Sequence, residues 1–333
     1  MIIPSPLFHA AGRRRAAPGR AVLLLLALVW LPALAAPALA PAQTAHAPAA
    51  APPAVSGIVA LQSDFGLQDH AVAAMHGVIL GVDKRLIVQD LTHGIAAYDV
   101  WQAAYRLAAV IQYWPSGTVL VSIVDPGVGT ARRSVVALTR SGHYIVTPDN
   151  GTLTLVADQV GIVQLRAIDE SVNRRPGSEH SNTFHGRDVY AFTAARLASG
   201  TIDFAQVGPV VTDPVRLPYE QARRDGAALV GAVPVLDVQW GNVWTNVGRG
   251  LFETLRIKLG GSVAVTIAHD GKTVWQGVAP YAATFGDVPA GTPLVYVNSL
   301  DEMAIALNQD DFAKRHGIAS GAGWSVRIAP VGR

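Results

Sequence analysis

The chain has 333 residues, half of them hydrophobic, with 26 Lys and Arg against 24 Asp and Glu and no cysteine. Without cysteine there is no disulfide, thiolate nucleophile, zinc–thiolate site or lipoprotein anchor. The length suffices for two domains with cores of their own.

The first residues read as a leader rather than as part of the fold. Arg13, Arg14, Arg15 and Arg20 precede the apolar run Ala21 to Ala36, and small-x-small sites such as Ala33-Leu34-Ala35 follow. That is the pattern of a secretory signal peptide over 1–35, and the run is short and proline-interrupted for a spanning helix. An uncleaved N-terminal anchor is the alternative. Residues 36–56 are Ala/Pro-rich and are expected to be a disordered spacer. Without the four leader arginines the net charge of +2 becomes −2, so the basic balance belongs to the export signal. It gives no reason to expect nucleic acid as a partner.

From 57 to 206 the pattern alternates strands and helices. Ile58 to Gln62 reads as a strand running into Ser63-Asp64-Phe65-Gly66, and a helix follows from about Asp69 to Gly81. A strand Leu86 to Gln89 leads to Asp90-Leu91-Thr92-His93, and Val100 to Tyr113 has helical spacing, halted by Pro115. The buried strand 118–124 ends at Asp125, followed by Pro126-Gly127-Val128-Gly129-Thr130-Ala131-Arg132-Arg133. Strand-helix-strand order implies parallel pairing, which would bring Asp64, Asp90 and Asp125 to one edge, where open α/β sheets bind ligands. Gly127 and Gly129 would let the backbone approach such a ligand. A plain Asp-Pro-Gly turn with two solvated arginines explains the same decapeptide. A hairpin of Ser134–Thr139 and His143–Thr147 is expected next, then the turn Pro148-Asp149-Asn150-Gly151. His185 in Phe184-His185-Gly186-Arg187-Asp188 precedes a helix from Val189 to about Ser199, whose dipole disfavours imidazolium.

Prolines and charges mark 207–227 as a linker. The rest, 228–333, reads as an antiparallel β-barrel-like or sandwich domain, with strands at Ala228–Asp237, Phe252–Leu259, Val263–His269, Thr273–Gly277, Leu294–Asn298 and Trp324–Pro330. Asp237 to Asn246 sets Trp240 and Trp244 beside carboxylate and amide side chains, which suits either purine stacking or the core and rim of a sheet.

Taken together, Ser63-Asp64-Phe65-Gly66, Asp90-Leu91-Thr92-His93, Val124 to Thr130, Pro148-Asp149-Asn150-Gly151, Phe184 to Asp188 and Gly241-Asn242-Val243-Trp244-Thr245-Asn246 resemble the S-adenosyl-L-methionine hydroxide adenosyltransferases, relatives of the fluorinase and chlorinase. The resemblance runs from about Gly57 to the C-terminus. It implies an N-terminal α/β domain with a mainly parallel sheet and flanking helices, a C-terminal antiparallel β-barrel-like domain, and a homotrimer with active sites between subunits. It also implies cleavage of S-adenosyl-L-methionine to adenosine and L-methionine, with that compound as substrate and no cofactor or metal. The family's triad falls on Asp125, Arg132 and His185, which the halogenating relatives do not share. Asp64 would bind the ribose hydroxyls, Asp237 the methionine amino group, and Trp240 and Asn242 the adenine, with Tyr98 and Ser299 also lining the substrate. Leu300 departs from the halogenating relatives, which carry an arginine there.

The chemistry asks for such a triad. A sulfonium leaves as a neutral thioether, so what the reaction lacks is a nucleophile, and a carboxylate with two nitrogen partners can activate water. The leader places the protein outside the cytoplasm, periplasmic or secreted, with no stable membrane association once it is removed. Two other readings stay open at this stage. One is an exported adenosine-binding protein without turnover. The other is a metal-dependent hydrolase using Asp64, Asp90, His93, His185 and Asp188, though no close His-x-His or His-Glu-x-x-His pairing is present.

Overall fold

The computed structural model describes residues 53–321 and 323–331; the expected signal peptide and most of the spacer lie outside them. The described end of the spacer is held by the fold: Ser56 N–H donates to Gly117 O at 3.0 Å and Tyr144 Oη to Pro53 O at 2.8 Å.

The N-terminal half is built on one sheet. Its elements run β1 (Ile58–Ser63), α1 (Ala71–Val82), β2 (Ile87–Thr92), α2 (Val100–Ile111), β3 (Val119–Ile123), β4 (Ser134–Thr139), β5 (Tyr144–Pro148), α3 (Thr154–Gln159), β6 (Ile162–Ala167) and α4 (Glu170–Asn173). A π-helical turn (Gly186–Ala191) then continues into α5 (Phe192–Ala198), and β7 (Val210–Val211) lies inside the expected linker. The strand order is β2-β1-β3-β5-β4-β6-β7. Pairings among β2, β1, β3 and β5 are parallel and the remaining ones antiparallel, so the sheet is mixed rather than mainly parallel. The hairpin β4–β5 and the edge strands β6 and β7 account for the difference.

Strand alternation sends side chains to two cores. Val59, Leu61, Val119 and Val121 face α1 and α5, while Ala60, Leu120, Val135 and Ile145 face α2. Each fully buried Val or Leu contributes roughly 1.5–3 kcal/mol, which holds the parallel strands in register. Asp99 caps α2 by accepting from Gln102 N–H at 2.8 Å.

The C-terminal half contains β8 (Arg223–Asp225), β9 (Ala228–Ala232), β10 (Val235–Asp237), β11 (Asn242–Gly248), α6 (Arg249–Glu253), β12 (Ser262–His269), β13 (Lys272–Pro280), β14 (Pro293–Val297), β15 (Glu302–Leu307), α7 (Phe312–His316) and β16 (Trp324–Pro330). Two antiparallel sheets, β10-β11-β15-β14 and β13-β12-β16-β9-β8, pack around one core. This is a two-sheet arrangement, and among the described residues no closed barrel forms. The expected strand Phe252–Leu259 is instead α6 and the turn after it. Phe252 and Leu255 are the buried pair there, and their three-residue spacing is helical rather than strand-like. The expected strand 228–237 breaks into β9 and β10 around Val233-Pro234.

The two halves meet along α2. Trp101 Nε1 donates to Pro234 O at 2.9 Å, and Tyr105 Oη donates to Glu302 Oε2 at 2.9 Å. Burial pushes the Glu302 carboxyl up to about 7, with the Tyr105 hydrogen bond opposing the shift. A buried acid with a raised pKa holds more protons folded than unfolded, so this stabilisation is present below the unfolded value and is lost as pH rises through about 7. Glu302→Gln is therefore expected to raise the melting temperature at pH 8.5, by up to roughly 3 kcal/mol of stability, and to change it little at pH 5. Thermal unfolding of both proteins across that range checks it.

Candidate active site

Parallel β1 and β3 end at the same edge, and Asp64 and Asp125 follow them directly or by one residue. Both line a cavity of about 260 Å³ together with Tyr98, Phe184 and His185. Asp64 also shapes the rim, since its Oδ2 accepts Tyr98 N–H at 2.9 Å. Tyr98 is exposed and has a φ of 67°, a left-handed backbone that a bulky residue adopts only when its surroundings impose it.

Arg132 turns inward onto Asp125. Its Nε donates to Oδ1 at 2.8 Å and its Nη2 to Oδ2 at 2.5 Å, a bidentate pair that is nearly buried. The same Nη2 donates to His185 Nδ1 at 3.0 Å, and Nη1 to Ser134 Oγ at 3.0 Å. Tyr190 Oη adds a donor to Asp125 Oδ2 at 3.1 Å. Burial opposes the arginine's charge, but its bonds to Asp125 raise the pKa above the ordinary value and keep it charged.

These contacts fix the histidine. Because Nδ1 accepts from a guanidinium, the neutral ring carries its proton on Nε2, and that atom is buried with no hydrogen-bond partner among the described residues, while the residue itself lines the cavity. Burial lowers the His185 pKa first, with Arg132 and Arg174 adding to it and Glu170 opposing. The expected direction holds, but desolvation is its leading cause rather than the helix dipole.

The glycines of the decapeptide have a different use from the one expected. A Cβ on Gly127 would press on Arg132 Cγ at 3.2 Å, and one on Gly129, with φ +76°, would meet Asn182 O at 2.9 Å. They admit the arginine and a neighbouring loop, and neither lines the cavity. Arg133 turns away to Asp149 and Asp213, which pins the turn after β5 to the segment that follows β7.

The other expected binders form a separate place. Asp237, Trp240, Asn242 and Ser299 line a cavity of about 1030 Å³ on the C-terminal half. Asn242 Nδ2 donates to Asp237 Oδ2 at 3.1 Å, and Asp237 O accepts Gly241 N–H at 2.8 Å in the turn between β10 and β11. Gly241 has φ +69° and lies against Asp311, so no side chain fits there. Trp240 projects from this turn two-thirds exposed. Within one chain this cavity and the strand-end cavity share no lining residue.

The metal-hydrolase constellation does not assemble. Asp90 lies inside β2 rather than at its end and meets His76 at 2.8 Å and His93 at 3.0 Å. Asp188 is fully buried against Arg187. Among the described residues no three His, Asp or Glu side chains lie close enough to share a metal ion. Sequence reasoning missed Tyr190, Ser134 and Glu170 around the triad. The π-helical turn brings Tyr190, five residues after His185, toward the same carboxylate, a spacing that an α-helix would place apart.

The chain joins a mixed α/β half, with carboxylates at its strand ends, to a two-sheet half whose cavity carries an exposed tryptophan. Residues 59–208 match the SAM hydroxide adenosyltransferase N-terminal domain, and residues 231–325 match its C-terminal domain. The chain belongs to the SAM hydroxide adenosyltransferase family. It is 37% identical over 266 residues to the (R)-S-adenosyl-L-methionine hydrolase of Salinispora tropica, covering 79% of this chain and 95% of that one. It is 36% identical over 269 residues to the protein of the same name from Thermus thermophilus, covering 78% and 95%. A fluorinase of Actinoplanes is 27% identical over 298 residues, covering 82% and 98%. The crystal structure of an uncharacterized conserved protein from Thermotoga maritima superposes with a TM-score of 0.75 at 31% identity, covering 81% and 99%.

Proposed function

We propose that the protein hydrolyses S-adenosyl-L-methionine to adenosine and L-methionine, with no cofactor or metal. The observation that carries this reading is the Asp125–Arg132–His185 constellation, of which Asp125 and His185 line a cavity together with Asp64. Water attacks the adenosyl C5′, the C5′–S bond breaks with its electron pair on sulfur, and the proton lost from water passes to Asp125 and then to solvent. With Nδ1 taken by Arg132, His185 has only its unpartnered Nε2–H to offer, which suits it to orient the water oxygen rather than to take its proton. Nearly all the N–H groups of Arg132 are engaged by Asp125, His185 and Ser134, so its part is to hold carboxylate and imidazole in register. Asp64 binds the ribose hydroxyls and Tyr98 covers them, while Trp240 and Asn242 take the adenine, and Asp237 and Ser299 the amino-acid end.

The two half-sites of one chain share no lining residue, which supports active sites completed between the N-terminal half of one subunit and the C-terminal half of the next, in a homotrimer as the family resemblance implies. The domain scheme is a signal peptide (1–35), a spacer (36–56), the N-terminal domain (57–206), a linker (207–227) and the C-terminal domain (228–333), with an exported, periplasmic or secreted protein as the product. No nucleic acid partner and no stable membrane association belong to this reading. Purified protein incubated with S-adenosylmethionine is expected to release adenosine and methionine in equal amounts, followed by chromatography. Binding of the nucleoside without product would replace the hydrolase with an adenosyl-compound binding protein.

A further inference from the structure

The large cavity is supplied with acid and lacks base. Asp237, Asp310 and Asp311 line it, and neither a lysine nor an arginine does. The strand-end cavity has none at its wall either. A zwitterionic amino-acid end brings an ammonium and a carboxylate, and these two cavities offer a partner only for the ammonium.

A third cavity, of about 360 Å³, continues from Asp237, Gln239, Trp244 and Ser299, which also line the large one, toward α2. It contains a single cation, Arg106. This arginine is half-buried, and no side-chain hydrogen bond from the described residues acts on it. Burial is the largest influence on the group and disfavours its charge, against the charges of Tyr105, Asp237 and Asp99. The other arginines near these sites are committed: Arg132 to Asp125, Arg133 to Asp149, and Arg187 to Asp188. A desolvated guanidinium without a partner is costly, and an entering carboxylate would meet its planar fork with two donors. Leu300, beside Ser299 on the same wall, offers no charge.

We propose that Arg106, reaching from α2 beneath Asp237 and Ser299, binds the α-carboxylate of the substrate's methionyl end and so selects amino-acid-bearing sulfonium nucleosides. This rests on the hydrolase reading above. It makes the third cavity the amino-acid subsite, with Asp237 for the ammonium and Arg106 for the carboxylate.

The test compares kcat/KM for S-adenosylmethionine with that for its decarboxylated analogue, in wild type, Arg106→Gln and Arg106→Lys, with adenosine affinity as the control for folding. Wild type is expected to prefer the carboxylate-bearing substrate by roughly 10- to 100-fold, the size of a charge-assisted pair. Arg106→Gln should lose that preference, chiefly through KM for S-adenosylmethionine, with the decarboxylated compound and adenosine little affected, and Arg106→Lys should restore part of it. Equal loss on both substrates, or an unchanged preference in Arg106→Gln, overturns the assignment. So does a wild type that treats both substrates alike, whatever the variants do. Turnover of neither compound by wild type would instead overturn the hydrolase reading itself.

Discussion

Asp125→Asn is expected to lower kcat for S-adenosylmethionine hydrolysis by about 10²–10⁴-fold, the range associated with losing a positioned general base. The substitution keeps the shape of the side chain and an oxygen for Arg132 Nε or for Tyr190, but it can no longer take a proton from water. It also turns a doubly bonded, nearly buried ion pair into a guanidinium facing an amide N–H. Leaving one partner of such a pair uncompensated costs roughly 3–5 kcal/mol. Activity and stability should therefore fall together, and the two losses separate by temperature. At a temperature where thermal unfolding shows Asp125→Asn still folded, and at saturating substrate, the loss of kcat should persist. If kcat recovers to near the wild-type value there, Asp125 is a structural carboxylate and the nucleophile is activated elsewhere.

The site was legible to different depths at its different residues. Asp125, Arg132 and His185 lie in short dense motifs, and local turns carry them to the sheet edge that strand-helix-strand order already marks. Asp90 followed the same logic and failed, because β2 runs on to Thr92 and keeps that side chain in a pair with two histidines. Tyr190 was hidden by the π-helical turn, since helical spacing read at the usual period places it elsewhere. Arg106 was hidden by α2, where one arginine amid a buried face of Ala103, Tyr105 and Leu107 reads as an ordinary exposed position. Its surroundings come from β10 and from the Ser299–Leu300 turn, almost two hundred residues away in the chain. The same distance problem affected the C-terminal sheets. β15, Glu-Met-Ala-Ile-Ala-Leu, is composed largely of good helix formers and becomes a strand because β11 and β14 flank it.

The second large effect concerns which chain completes the site. The strand-end cavity, at about 260 Å³, falls below the usual size of a small-molecule pocket, and the large cavity carries the stacking surface without the triad. If a second copy joins them, a subunit with a dead triad still offers a working C-terminal half. Asp125→Asn and Asp237→Ala/Trp240→Ala should each be nearly inactive alone. Coexpressed in equal amounts they should recover about a quarter of wild-type activity, because one site in four pairs an intact triad with an intact adenine and amino-acid half. The recovery should appear only when the two proteins are assembled together, since mixing finished oligomers leaves their interfaces as they were. Activity no greater than that of the two variants assayed apart would place the whole site within one chain. The two cavities would then have to close on each other by movement of the C-terminal half along α2, against the Trp101–Pro234 and Tyr105–Glu302 bonds that hold it.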